Sequence, residues 1–350
     1  MPAIDWPQVR RILVVKLRSI GDTVLSTPSL IALRRQAPQA EIDILLEDWV
    51  APVLEGFEGV NVISMGAGVT DRLSTARHLR SRHYDVAFNL HGGTTSTFLT
   101  WASGAKHRFG NADYQYSFLY NHLLSSPADF WGRKQLHSAE QQLALMGYSG
   151  VPVDDLPKTH LTVTDDALTS VSTTCGSGWV GDDFALLHPS TAFETKQWSS
   201  EKFANLAEVL VSKGLKVIAV TSKAESGVLE DMKRIATVPI KTFDRLTLPE
   251  ITALASKARV FIGNDSGIAH MAAAIGTPTV VIFGSSNRTH WRPWTDAPNE
   301  IVYNPFDCQP CPGYKCEAFG DSRCIHSVSV EQVIAAADRV LGAPRLTAIP

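Results

Sequence analysis

No long hydrophobic run occurs in this 350-residue chain. The longest apolar tract, residues 268–284, is broken by His270, Gly276 and Pro278, and reads as helix, turn and strand rather than as a membrane span. The apolar run near the N-terminus, residues 12–15, stops at Lys16 and is too short for the core of a secretory signal, so a cytoplasmic protein is expected. A cationic excess is also missing. The formal net charge of -3 argues against nucleic acid as the main partner, because duplex binding leans on clustered basic surface. No Walker A string is present, and none of the predicted strand-to-helix turns carries G-x-G-x-x-G. Those two absences argue against a P-loop NTPase and a standard NAD-dependent dehydrogenase. Cysteine is scarce, and four of the five fall in one short stretch.

What is present fits an ordinary folded protein: 44% hydrophobic and 19% charged residues exclude a disordered chain. The length exceeds what one core usually supports, so two domains are expected. Short β-branched runs alternate with amphipathic helical stretches, which predicts an α/β fold with parallel sheets. Strands are predicted at 12–15, 42–45, 62–65 and 86–90 in the first half, and at 184–187, 217–220, 260–262 and 279–283 in the second. Residues 148–163, rich in Gly, Pro and Asp, read as a linker. The expected division is a Rossmann-like domain over 1–160, a second over 161–328, and a terminal helix and tail over 329–350. Thr247 with Glu250, and Ser329 with Gln332, form capping boxes; Val328 and Val333 could staple the second, and the tail beyond Gly342 is expected to fray. Two such domains would set their strand C-termini around a shared cleft, where doubly wound sheets bind ligands.

Residues 101–134 differ in texture, mixing Trp101, Phe109, Tyr116, Phe118 and Trp131 with Lys106, Arg108, Arg133 and Lys134. Aromatics beside cations suit a surface for anionic sugars or lipid headgroups. The same composition also suits a helical insertion whose aromatics pack on the domain beneath.

Two stretches carry candidate chemistry. After the first strand comes Lys16-Leu17-Arg18-Ser19-Ile20-Gly21-Asp22-Thr23, where Gly21 permits close approach of a ligand and Asp22 could accept a proton from a hydroxyl. Asp22 could equally be a helix N-cap, although Thr27-Pro28 offers a competing helix start. In the second half, Gly263-Asn264-Asp265-Ser266-Gly267-Ile268-Ala269-His270 reads as a strand, a tight turn and a helix. The amides of Ser266, Gly267 and Ile268 would then meet a diphosphate at the positive end of the helix, with His270 projecting off the apolar stripe. An ordinary capped helix is the alternative there. Lys196 could offset phosphate charge, Ser190 and Thr191 could bond phosphate oxygens, and Glu225 could bond a ribose hydroxyl. A solvated loop is the alternative for these.

Taken together, Ile12-Leu13-Val14-Val15-Lys16, Ser19-Ile20-Gly21-Asp22 and Thr27-Pro28, followed far downstream by Gly263-Asn264-Asp265-Ser266-Gly267 and His270-Met271-Ala272-Ala273-Ala274, resemble the heptosyltransferases, family nine of the glycosyltransferases. The resemblance spans almost the whole chain. It implies a GT-B architecture of two Rossmann-like domains facing across a cleft, an inverting transfer, and ADP-L-glycero-D-manno-heptose as donor to an anionic lipopolysaccharide inner-core acceptor. By the same resemblance Asp22 matches the general base and Lys196 a phosphate-binding lysine, Ser190 and Thr191 match the phosphate loop, and Asp265, Ser266, Gly267 and His270 match the donor motif. Asn264 stands where that family varies. The nucleotide sugar is a substrate, so no cofactor is required, and peripheral contact with the cytoplasmic face of the inner membrane fits such an acceptor. A GT-B transferase or epimerase using another nucleotide sugar, or a non-catalytic sugar-nucleotide-binding protein, is the competing reading.

The cysteines Cys308, Cys311, Cys316 and Cys324 follow C-x2-C-x4-C-x7-C, while Cys175 stands alone. In a reducing compartment such a cluster suggests structural zinc, although the second C-x2-C of a zinc ribbon is missing. Reduced thiols packed ahead of the last helix are the alternative.

Overall fold

The computed structural model describes residues 4–176, 183–311 and 313–343. The chain divides into two compact units, Met1–Thr162 and Val163–Pro350. In the first unit the strands are β1 (Arg11–Leu17), β2 (Glu41–Glu47), β3 (Asn61–Met65), β4 (Val86–Asn89), β5 (His107–Asn111) and β6 (His122–Leu124). They form one parallel sheet in the order β3-β2-β1-β4-β5-β6. The strand order reverses beside β1, so the crevice between the C-terminal ends of β1 and β4 is the switch point where such sheets take ligands. Ile12, Leu13, Val14 and Val15 are all fully buried. A central parallel strand is covered on both faces, hence this unbroken apolar run in place of alternation.

The segment over residues 101–134 is not a helical insertion. It supplies β5 and β6, which extend the sheet to its edge. Phe109 is interior and stacks on Phe88 with ring centroids 4.9 Å apart, and Tyr120 is buried as well. Trp101, Tyr116 and Phe118 stay exposed, so the aromatics divide between core and surface. Residues 148–163, read as a linker, pack on the first unit instead: Val151, Val153 and Leu161 are buried, and the His160 amide donates to Thr27 Oγ1 at 3.1 Å.

The second unit repeats the topology with β7 (Phe184–His188), β8 (Lys216–Val220), β9 (Lys241–Phe243), β10 (Val260–Asn264), β11 (Thr279–Ile282) and β12 (Asn299–Val302). Their order, β12-β11-β10-β7-β8-β9, puts the switch point between β7 and β10. The literal string Gly176-Ser177-Gly178-Trp179-Val180-Gly181 precedes a strand rather than following one, the reverse of the dinucleotide-binding order, and its residues 177–181 lie outside the described residues. The terminal helix Val330–Gly342 opens with the Ser329–Gln332 capping box and contributes Val333, Ala336, Ala337 and Val340 to the core of this unit. From residue 344 the tail lies outside the described residues.

Trp198 is the largest fully buried side chain of that core. Its ring meets Phe203 edge-on at 4.9 Å, and its indole N–H donates to the Val328 carbonyl at 2.9 Å, which ties the loop after β7 to the chain entering the last helix. Trp198→Ala is expected to cost about 3–5 kcal/mol, the usual loss for emptying a large aromatic site. Trp198→Phe should cost less, because the Val328 carbonyl still accepts from Lys202 Nζ at 2.8 Å when the indole donor is lost. Denaturant midpoints of the two variants check the ranking.

Candidate functional site

The C-terminal end of β1 delivers a buried lysine where an apolar residue would be expected. Lys16 Nζ lies 3.1 Å from Asp22 Oδ1 and donates to the Leu90 carbonyl at 2.9 Å, and Ser19 Oγ donates to Asp22 Oδ2 at 2.9 Å. Asp22 is not the cap. It sits within the first turn of the short helix Ile20–Val24, whose N-cap position is Ser19. Nor does Thr27 cap the following helix, Thr27–Gln36: Ser26 holds the cap position, and Thr27 Oγ1 donates to the Val24 carbonyl. Asp22 is therefore held from two sides while its side chain remains 30% exposed, oriented by donors and open to a ligand.

The loop after β4 forms the other wall of this switch point. Asn89 Oδ1 accepts from the His91 and Gly92 amides at 2.9 and 3.1 Å, while its Nδ2 donates to Ser96 Oγ and to the Tyr120 hydroxyl. Gly92 has φ +82, and a Cβ there would come within 2.6 Å of the Tyr114 ring, so the turn admits only glycine. Burial, then the positive charges of Lys16 and Arg18, hold the His91 imidazole below its ordinary pKa, with Asp22 opposing. Lys16, Asn89 and His91 had no role in the sequence reading. Of the three, Lys16 carried a signal, as a cation ending a buried strand six positions before Asp22.

At the second switch point, Asn264 is a brace. Its Oδ1 accepts from the Trp198 amide at 3.1 Å and its Nδ2 donates to the Pro189 carbonyl at 2.9 Å, which fastens both ends of the loop after β7 to the end of β10. Asp265 spends its amide on the Ile282 carbonyl (3.1 Å), pairs its carboxylate with Lys196 Nζ at 2.9 Å, and accepts from Ser286 Oγ. Lys196 also lies 5.0 Å above the Phe193 ring, which stacks on Tyr314 at 4.2 Å. Ser266 takes the N-cap position of the helix Gly267–Ala274. The first amides of that helix have no partner within it. Lys196, Asp265, Ser266 and Gly267 thus gather at one end of one sheet. Thr191 is half-buried, its amide donating to Gln197 Oε1 at 3.1 Å.

Between the two loops sits His188, the last residue of β7. Its Nδ1 is 3.2 Å from Ser266 Oγ and its Nε2 is 3.5 Å from Ser190 Oγ, so one buried imidazole links both hydroxyls. Burial pushes its pKa down to about 4, against the pull of Glu225. The sign follows from linkage. Below an unfolded value near 6.5 the unfolded chain takes up a proton that the folded chain refuses until about pH 4, so this contribution is complete above 6.5 and drains away as pH falls through that window. Between pH 7 and 4.5 the unfolding midpoint should fall more steeply for the natural chain than for His188→Asn; parallel profiles would remove His188 from the account.

Two expectations change in the structure. His270 does not project from an apolar stripe: it is buried, as is every residue from Ile268 to Ala274. A helix covered on all sides has no polar face to display. Glu225 closes a capping box, accepting from Ser222 Oγ at 2.6 Å, so its carboxylate already serves the turn Lys223–Glu225. The cysteines are free thiols, Cys324 buried and Cys308, Cys311 and Cys316 half-buried. Among the described residues no group of three or more His, Cys, Asp or Glu side chains is arranged to hold a metal ion. Burial raises the Cys311 and Cys324 thiols. Their loop buttresses the turn carrying Lys196: the Cys311 amide donates to the Ser285 carbonyl, and Thr195 Oγ1 donates to the Gly313 carbonyl, both at 2.9 Å.

Comparison with known proteins gives the site a context. The family model of glycosyltransferase family 9 (heptosyltransferase) matches residues 72–319. The chain is 27% identical over 345 residues to lipopolysaccharide heptosyltransferase 3 of Escherichia coli K12, covering 93% of this chain and 96% of that one. Among solved structures it is similar to a family 9 glycosyl transferase from Veillonella parvula, with a TM-score of 0.83 at 21% identity over 97% of this chain and 99% of the other. It is also similar to E. coli ADP-heptose LPS heptosyltransferase II, with a TM-score of 0.79 at 20% identity over 95% and 98%. These likenesses show the fold, GT-B. Among the described residues no helix is long and apolar enough to cross a membrane.

Proposed function

This chain belongs to glycosyltransferase family 9 and is a glycosyltransferase, and we propose that it transfers heptose from ADP-L-glycero-D-manno-heptose to a lipopolysaccharide inner-core acceptor with inversion at the anomeric carbon. The observation that carries this reading is the furnishing of the two switch points. One presents an oriented, partly exposed carboxylate at Asp22; the other presents Lys196 beside the opening turn of a buried helix. The relatives' names supply the sugar and the nucleotide.

In this reading Asp22 takes the proton of an acceptor hydroxyl as that oxygen attacks the anomeric carbon. The bond from that carbon to the diphosphate breaks in the same displacement, and ADP leaves with the electron pair. Lys196 and the amides of Ser266, Gly267 and Ile268 stabilise the charge growing on the departing diphosphate. Ser190 and Thr191 bond its oxygens, and Asp265 holds the lysine in place. His270 supports the helix from within. Lys16 and Ser19 keep the base aimed.

The test is a product assay. Purified protein is incubated with ADP-heptose and a heptose-deficient core acceptor, and the products are weighed by mass spectrometry. Addition of one heptose, with no transfer from UDP- or GDP-sugars, is expected. Transfer from another nucleotide sugar in preference to ADP-heptose would replace the donor, and hydrolysis or epimerisation without transfer would overturn the reading.

A further inference from the structure

The cysteine-bearing loop does more than buttress the turn that carries Lys196: it brings an aromatic ring to it. Phe193 and Lys196 stand at the two ends of a single 3-10 turn, closed by the Lys196 amide donating to the Phe193 carbonyl at 3.0 Å. Residues three apart in such a turn eclipse, so both side chains leave on the same side. Lys196 Nζ accordingly lies 5.0 Å from the centre of the Phe193 ring, within the range of a cation–π contact. Tyr314, from the cysteine loop, stacks on the same ring at 4.2 Å with the two planes 12° apart.

Tyr314 is 67% exposed, so burial does not hold it there. Backbone ties do. The neighbouring Gly313 carbonyl accepts from Thr195 Oγ1, which also lies 2.8 Å from Ser285 Oγ. The Ser285 amide donates to the Thr195 carbonyl at 3.2 Å, and the Ser285 carbonyl accepts from the Cys311 amide. Gly284 presses on the same Thr195 carbonyl, where a Cβ would stand 2.1 Å from the oxygen. The lysine turn, the loop after β11 and the cysteine loop are thus fastened together, and from them runs one chain of contacts: Tyr314 on Phe193, Phe193 on Lys196, Lys196 on Asp265.

A lysine needs such fixing. Its flexible stem gives the ammonium many places to go, and Asp265 alone fixes only one of its three N–H groups. The negative face of an aromatic ring attracts the cation as a whole and occupies no N–H with a lone pair. We propose that Phe193, steadied by Tyr314, is a positioning residue for Lys196: the ring holds the ammonium where it meets Asp265 and the departing diphosphate together. The proposal rests on the leaving-group role proposed for Lys196, and it gives the cysteine loop a part in transfer through Tyr314.

The test keeps the shape of the ring while removing its charge. Mono-, di- and trifluorophenylalanine placed at position 193 weaken the negative face in steps, and kcat with ADP-heptose should fall at each step. Phe193→Leu, apolar but without a π face, should lose about 2–30-fold, the span of a cation–π contact. Phe193→Tyr keeps a ring and should retain most of the turnover; Tyr314→Phe should match the natural chain, and Tyr314→Ala should fall between it and Phe193→Leu. In a Lys196→Met background Phe193→Leu should change nothing further, because the ring acts only through the cation. A ring with a structural role alone would lower residual turnover and unfolding midpoint by as much in both backgrounds. ADP affinity measured by calorimetry, which needs no acceptor, should weaken in the same order as kcat. Equal kcat and ADP affinity along the fluorinated series, or a Phe193→Leu loss as large without Lys196 as with it, overturns the proposal. A loss in Lys196→Ala beside unaffected ring variants sinks the proposal alone, whereas intact transfer by Lys196→Ala removes the leaving-group role and the proposal with it. Absence of all transfer by the natural chain would count against the proposed function, and the order of ADP affinities would still decide the role of the ring.

Discussion

Asp22→Asn is expected to lower turnover by about 10²–10⁴-fold, the range general-base catalysis contributes, while donor affinity stays within about a factor of two. The two readouts separate because Asp22 belongs to the first unit and the residues proposed to hold the donor belong to the second. Asparagine keeps the side chain's shape and can still accept from Ser19, but it leaves the Lys16 ammonium, almost wholly buried, without its counter-charge. Some loss of stability is therefore expected as well, because breaking a buried pair from one side strands the other charge. Unfolding midpoints measured beside the kinetics distinguish that loss from the catalytic one. Asp22→Glu restores the charge with the carboxylate displaced by one methylene, and should recover stability more fully than turnover. Undiminished transfer by Asp22→Asn would remove Asp22 from the chemistry.

The central strands were legible because each is covered on both faces: β1, β7 and β8, and β10 and β11 appear as short unbroken apolar runs, and β2 as one interrupted only by the buried Asp43. The strands that escaped lie at or next to the sheet edges. β6 is His122-Leu123-Leu124, β9 is Lys241-Thr242-Phe243, and β12 is Asn299-Glu300-Ile301-Val302, all too short or too polar to show a pattern. β5, one in from the edge, mixes His107, Arg108 and Asn111 with a single buried ring. The candidate site was legible to the same degree. Lys196, Asp265 and Ser266 occupy strand-to-helix connections and Asp22 the first turn of the helix after β1, placements that motif spacing conveys. Partnerships were not legible. That Lys196 would pair with Asp265, that Asn264 would brace a distant loop, and that His188 would bridge Ser190 and Ser266 are consequences of tertiary packing between residues far apart in the chain. His270 was misjudged for the complementary reason: helical periodicity presumes one solvent face, and this helix has none.

Lys196→Ala is expected to cut kcat by about 10²–10³-fold, the loss found on deleting one charge-stabilising donor from a preorganised site. The geometry makes the loss twofold. Lys196 is 21% exposed at its side chain and pairs with an Asp265 carboxylate that is 6% exposed. In the proposed mechanism its ammonium balances that carboxylate and the diphosphate together. Alanine removes the cation and also leaves a buried anion close to where a second anion must bind, so donor KM should rise along with the fall in kcat. Lys196→Arg keeps the charge but substitutes a planar fork for a compact ammonium, and should fall between the two. A purely structural role for the lysine makes a different forecast, and the variant Lys196→Met/Asp265→Asn tells them apart. With both charges gone no buried carboxylate is stranded, so the unfolding midpoint should return toward that of the natural chain. If Lys196 acts on the leaving diphosphate, turnover in that double variant stays as low as in Lys196→Ala; turnover that recovers with stability would mean the lysine serves only Asp265.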